Sequence, residues 1–140
     1  MIVDASVILR AFFPDEAQAQ AQALIRDHVA RRLMLEGPTL LPYELCNAIC
    51  LAERRGRVSR EQADQILQAI DGLNIKTQPV TWGEMVPIAR QYERTAYDAA
   101  YLALAEASHQ PLVTGDQRLY NAVHAHLDWV MWIGDYPSET

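Results

Sequence analysis

The sequence predicts an α/β fold in one domain: a parallel central sheet flanked by helices on both faces. Short apolar runs of strand length alternate with longer segments of helical period, the pattern of repeated strand–helix units. At 140 residues, half of them apolar, the chain can bury roughly two-thirds of its unfolded surface around a single core. No internal repeat or low-complexity linker divides it, so the domain is taken as residues 1–140, with its core at about 2–133.

The apolar pair Ile2 and Val3 suits a short buried strand, and SVILRAFF suits a helix beginning near Ser6 and broken by Pro14. DEAQAQAQALIRDHVARRLM has high helix propensity throughout, and LEGPT reads as a strand end or turn. Pro42 suits a helix first turn, and Leu45, Ile49 and Ala52 follow at helical spacing until Gly56. Ser59 with Gln62 makes a capping box for a helix through about Ile70. A strand is expected near 73–77 and a helix over WGEMVPIARQYERT, with Pro87 near its start or at a kink. Thr95 to Asp98 opens the apolar helix AAYLALAEAS; PLVT is a strand, GDQRLYNAVHA a helix and LDWVMWI a last strand.

The net charge of −6 argues against nucleic-acid binding by bulk charge. Basic residues are nearly all arginine, and Arg54, Arg55, Arg57 and Arg60 cluster in ERRGRVSR, either as a solvated helix end or as a phosphate-contacting patch. Cys46 and Cys50 share a helical face and read as buried free thiols. The four histidines form no zinc-binding spacing. No apolar run is long enough to span a bilayer and no signal-peptide pattern opens the chain, so a cytoplasmic protein with no membrane association is expected.

Four acids carry the chemistry. Asp4 and Asp116 each follow a strand and precede a helix, while Glu44 and Asp98 lie in helix first turns. In a parallel sheet, such positions gather along the carboxyl edge. Taken singly, each acid has an adequate explanation as a helix cap that offsets the dipole. Taken together that explanation weakens, because Asp4 and Asp98 adjoin strongly apolar segments where an unpaired charge is costly. Clustered carboxylates repel unless protons or a cation intervene, and oxygen ligands suit Mg²⁺ or Mn²⁺. Such a site beside helix N-termini suits phosphate esters.

The segments around these acids, D-A-S at 4–6, PYELCNA around Glu44, TAYDAAYLALA around Asp98 and VTGDQRL around Asp116, resemble the PIN-domain ribonucleases. The similarity is greatest to VapC-type toxins of toxin–antitoxin pairs and extends from residue 2 to about 133. It implies an endoribonuclease using Mg²⁺ or Mn²⁺, with Asp4, Glu44, Asp98 and Asp116 as both catalytic and metal-binding residues. Asp4 and Asp98 are the expected direct ligands. Ser6 and Thr114 match the small hydroxyl positions beside the acids, with capping or turn bonding as the alternative. Asn47 matches a polar position that can orient Glu44. The resemblance further implies an RNA substrate cut to 5′-phosphate and 3′-hydroxyl ends, a homodimer and a cognate VapB-type antitoxin. Arg10, Arg54, Arg55, Arg57 and Arg60 are candidate RNA contacts.

A haloacid-dehalogenase-like phosphatase would need a second Asp where Ser6 stands and a later acid where Tyr120 stands. A receiver domain would need an acidic pair after the first strand and a late lysine, whereas Lys76 is the only lysine. A non-catalytic PIN-like binding module is the remaining alternative, and the presence of all four acids speaks against it. Trp82, Trp129 and Trp132 read as core or dimer-interface residues, and Tyr97 with Tyr101 as core packing.

Overall fold

The computed structural model describes residues 1–138; residues 139 and 140 of the expected domain lie outside the described residues. Five short strands, β1 (Ile2–Val3), β2 (Glu36–Pro38), β3 (Lys76–Gln78), β4 (Leu112–Thr114) and β5 (Val130–Trp132), form one sheet in the order β3-β2-β1-β4-β5. All four pairings are parallel. The chain steps outward through β1, β2 and β3, then returns to the far side of β1 for β4 and β5. The carboxyl ends of β1 and β4 therefore flank the point where strand order reverses, which is where open α/β sheets bind ligands.

Seven helices connect the strands: α1 (Ala5–Phe12), α2 (Ala19–Val29), α3 (Leu41–Arg54), α4 (Arg60–Asp71), α5 (Trp82–Tyr92), α6 (Ala96–Ser108) and α7 (Gln117–Val123). Right-handed crossovers place α1–α4 on one face and α5–α7 on the other. Contacts agree, since α1 packs with α2, α3 and α4, while α5 packs with α6. Ile2, Val3, Leu112 and Val113, in the two central strands, are all fully buried. Against them lies α6, whose residues 99–105 are all buried. Its alanines let it approach β1, β2 and β4 closely.

Several elements depart from the expected boundaries, for local reasons. The long Ala/Gln segment becomes helix only from Ala19, because residues 13–18 turn and Gln18 N–H bonds back to Arg10 C=O (3.0 Å). It ends at Val29, and the ring of His28 then ties the following loop. His28 Nδ1 accepts from Leu35 N–H (3.0 Å) and Nε2 donates to Leu73 C=O (2.7 Å), which fixes a neutral tautomer. That hold on Leu73, with Asn74 in the left-handed region (φ 51°), moves β3 to 76–78 rather than 73–77. EGP, expected as a strand end or turn, is an interior strand. Glu36 N–H bonds Met1 C=O, so the nitrogen of Pro38 also faces β1, and with no hydrogen to donate it ends that pairing. Only Val130–Trp132 of the last apolar run is strand, followed by a 3-10 turn at Ile133–Asp135.

Side-chain placement brings further corrections. The buried stripe of α3 is Leu41, Leu45, Ile49 and Ala52, and Cys46 and Cys50, each one position past it, are exposed rather than buried. Tyr101 is buried, but Tyr97 is 64% exposed and Trp82 84% exposed, so neither is a core residue. No helix among the described residues is long and apolar enough to cross a membrane.

Gly37 is required where β2 leads into α3. A Cβ there would meet Leu41 Cδ2 at 2.6 Å and Leu41 Cβ at 3.3 Å, so the buried Leu41 side chain would have to shift. Gly37→Ala is therefore expected to destabilise the fold by about 1–3 kcal/mol, the usual cost of overpacking. Urea denaturation measures this, and an unchanged midpoint would show that α3 can shift freely.

Candidate active site

Asp4 is placed by β1: its N–H extends the ladder to Val113 C=O (3.1 Å), and the chain turns into α1 directly after it. It occupies the N-cap position but makes no side-chain cap bond. Its Oδ2 instead accepts two hydroxyls, from Ser6 (2.8 Å) and Thr114 (2.7 Å). Each hydroxyl in turn accepts a backbone N–H from the β4–α7 turn: Gly115 bonds Ser6 Oγ (2.9 Å) and Asp116 bonds Thr114 Oγ1 (3.0 Å). Two parallel relays thus end on one carboxylate oxygen, and chains of this kind polarise one another.

Asp98 shows the same diversion. Two complete capping boxes exist among the described residues, Ser59 with Gln62 and Thr81 with Glu84, in which the later side chain returns a bond to the cap backbone. At α6 the box is half made: Thr95 Oγ1 accepts from Asp98 N–H (3.1 Å), with no return bond from the carboxylate. Asp98 Oδ2 accepts instead from Arg94 Nε (3.2 Å). Asp116 does cap, its Oδ1 accepting from Arg118 and Leu119 N–H. Glu44, in the first turn of α3, accepts from the Tyr101 hydroxyl (2.5 Å).

These four acids share one electrostatic field. Burial, opposed by the Thr114 and Ser6 hydroxyls and reinforced by Asp116 and Asp98, holds the Asp4 carboxyl above its ordinary range. Glu44 is raised by burial and then by Asp4 and Asp98, against the Tyr101 bond. Asp98 is raised by burial and by Asp116, against Arg94. The members of every pair except Glu44 with Asp116 thus influence one another, though the four residues come from segments spread over more than a hundred positions.

The side chains that converge here offer oxygen donors, which suit a hard divalent cation. Among the described residues no three His, Cys, Asp or Glu side chains form a ready-made coordination group. The oxygen donors fit such a cation by chemistry, and water would supply part of its shell.

The other sequence-derived candidates separate. Ser6 and Thr114 join the site. Asn47 is exposed, and the bond to Glu44 comes from Tyr101 instead. Arg10 is engaged structurally: its Nη2 donates to Gly115 C=O (2.7 Å), its Nη1 to Gln18 Oε1 (3.3 Å), and its guanidinium lies over Trp132. Arg57 forks onto Asp15 (both bonds 2.9 Å), reaches Glu16 (3.1 Å) and covers Phe13, tying the α3–α4 turn to the α1–α2 turn. Arg54, Arg55 and Arg60 are exposed, and Arg54 lies about 15 Å along α3 from Glu44. Arg94 and Tyr101 escaped sequence reasoning. Their spacing from Asp98, one turn before and one turn after, is the signal that was available.

An all-parallel sheet in this order, with acids at its carboxyl edge, is the arrangement expected of a PIN domain, and the PIN-domain profile matches residues 1–124. The chain belongs to the PIN-domain family. Its relatives there are of the VapC type. It is 31% identical over 125 residues to Ribonuclease VapC1 of Mycobacterium tuberculosis, covering 84% of this chain and 86% of the relative. Ribonuclease VapC9 of the same organism is 33% identical over 131 residues, 85% of this chain and 87% of that one. Ribonuclease VapC3 of Pyrobaculum aerophilum is 29% identical over 123 residues, 85% and 91% of the two chains. The crystal structure of PAE2754 from Pyrobaculum aerophilum superposes with a TM-score of 0.73 at 26% identity, over 95% of this chain and 83% of that one. The phosphatase and receiver readings gain nothing: Ser6 serves Asp4, and Tyr120 stacks on His124.

Because Asp4, Glu44 and Asp98 hold protons more tightly folded than unfolded, their contribution to stability is full below the ordinary carboxylate range. It is lost as pH rises through their raised values. Asp4→Asn keeps an acceptor for both hydroxyls and removes one charge. In EDTA at neutral pH it is expected to stabilise the protein by about 1 kcal/mol, with the gain shrinking near pH 4. Thermal unfolding at the two pH values measures this, and equal or lower stability of the variant at neutral pH would contradict it.

Proposed function

We propose that this protein is a metal-dependent endoribonuclease, the toxin of a toxin–antitoxin pair, working through Asp4, Glu44, Asp98 and Asp116. One observation carries the reading: four carboxylates from four segments share one field, and Asp4 and Asp98 forgo the capping bonds open to them. RNA as substrate is supported by the ribonuclease names of the relatives.

Mg²⁺ or Mn²⁺, held by Asp4 and Asp98 and completed by Glu44 and Asp116 directly or through water, would polarise the phosphoryl oxygen, lower the pKa of bound water and offset charge on the leaving oxygen. Ser6 and Thr114 hold one oxygen of Asp4, Oδ2, in place, so that Asp4 would bind a cation with a fixed orientation. Asp4 contributes no side-chain cap to the first turn of α1, whose N–H dipoles favour an approaching phosphate. Glu44 and Asp116 complete the negative rim, which repels RNA until it is neutralised. The exposed Arg54, Arg55 and Arg60 are candidate contacts to the flanking RNA backbone. The products are 5′-phosphate and 3′-hydroxyl ends.

The same reading includes a homodimer acting in the cytoplasm and a VapB-type antitoxin. An antitoxin arginine placed on the acids would repeat the bond that Arg94 already makes to Asp98.

The test uses antitoxin-free protein and total RNA, with Mg²⁺, Mn²⁺ or EDTA. Discrete fragments are expected with metal and none with EDTA, and Asp98→Asn is expected to lower the rate by at least about 100-fold. Cleavage that survives EDTA or the substitution would refute the acidic mechanism.

A further inference from the structure

Tyr101 lies one turn beyond Asp98 on α6, so the two side chains share the helix face turned toward the acids. Its ring is 2% exposed. A phenylalanine would fill the same space without the cost of burying a hydroxyl, which is large unless the hydroxyl is bonded. Here it is bonded: it donates to Glu44 Oε1 at 2.5 Å, the length of a charge-assisted O–H···O⁻ bond, and the backbone N–H of Ala5 faces the same oxygen. One oxygen atom therefore touches the start of α1, which follows Asp4, and the first turn of α3, which carries Glu44. It does so from the helix that carries Asp98. The Tyr101 bond is also the one influence that opposes the rise in the Glu44 pKa.

We propose that Tyr101 is the positioning residue for Glu44, clamping one of its oxygens beside the start of α1 so that its other oxygen is presented to the divalent cation. This rests on the acidic reading above. Tyr101 acts through Glu44 and does not touch the reacting atoms. A tyrosine that merely tethered α6 to α3 would have the same geometry but a different signature when removed.

The experiment measures Mn²⁺ binding by the loss of the free-ion electron paramagnetic resonance signal. It compares the wild type, Tyr101→Phe, Glu44→Gln and the double variant, each checked by its unfolding midpoint. Tyr101→Phe preserves the ring, and Glu44 is only partly buried, so water can replace the lost donor and the fold is kept. The expected result is roughly a tenfold or greater loss of Mn²⁺ affinity in Tyr101→Phe, the usual scale for removing an outer partner of a ligand. Glu44→Gln weakens binding at least as much, and Tyr101→Phe adds nothing further in the Glu44→Gln background. RNA cleavage by Tyr101→Phe at saturating Mn²⁺ falls in kcat with KM nearly unchanged.

If Glu44→Gln weakens binding and Tyr101→Phe does not, the positioning role is overturned and the acidic site stands. If Tyr101→Phe costs as much in the Glu44→Gln background as in the wild type, the residue acts on the fold at large and the proposal fails. If the wild type binds no Mn²⁺, or Glu44→Gln leaves binding unchanged, the acidic reading itself falls and takes this proposal with it.

Discussion

One oxygen atom, Oδ2 of Asp4, holds the working edge of this molecule together. β1 contributes only two residues to the sheet, too few to fix its own exit by ladder bonds. The two hydroxyl relays make up the difference, tying the end of β1 to the turn after β4 through Ser6 and Thr114. Remove that carboxylate's acceptor capacity and the hydroxyls of Ser6 and Thr114, the latter fully buried, lose their partner. The position of α1, the placement of Asp116 at the head of α7 and the geometry of the acidic rim all follow from this junction.

The rim is expensive in the absence of a cation. Burial and mutual repulsion raise three of the four carboxyls, and what relief exists comes from neutral hydroxyls and from one arginine. Two other helices are fully capped, by the boxes at Ser59 and at Thr81. The contrast matters because capping and function compete for the same carboxylates. Where the return bond is made, the side chain is committed to the helix; where it is withheld, as at Asp98, the side chain faces the other acids. Arg94 then stands as an internal cation against Asp98, which shows that the site accepts a guanidinium.

Much of this was legible in the sequence. An acid placed directly after an apolar strand, before a helix, has few ways to be solvated, and parallel topology gathers such acids at one edge. Hence Asp4 and Asp116, with Glu44 and Asp98 in helix first turns, could be expected at one edge without coordinates. The capping box at Ser59 is written in local spacing, as was the buried stripe of α3. What could not be read depends on partners distant in sequence. The late start of α2 follows from the loop geometry around Arg10 and Gln18, and Arg57 is drawn to acids forty residues away. EGP forms a strand because two neighbours accept it, against the preference of Gly and Pro. Cys46 and Cys50 were judged by residue type, whereas their angle around α3 decides their exposure. Tyr101 looked like one more apolar residue in an apolar helix, since a hydroxyl's partner is invisible until α3 is laid beside it.

The relay from Thr114 to Asp4 spans 110 residues and joins the first strand to the fourth. During synthesis the amino-terminal segment leaves the ribosome long before its partner exists, and β1 has no β4 to pair with until most of the chain has emerged. The acidic edge is therefore among the last parts to be assembled. A nascent chain that exposes Asp4 carries one of the four acids of this edge and none of the frame that holds it.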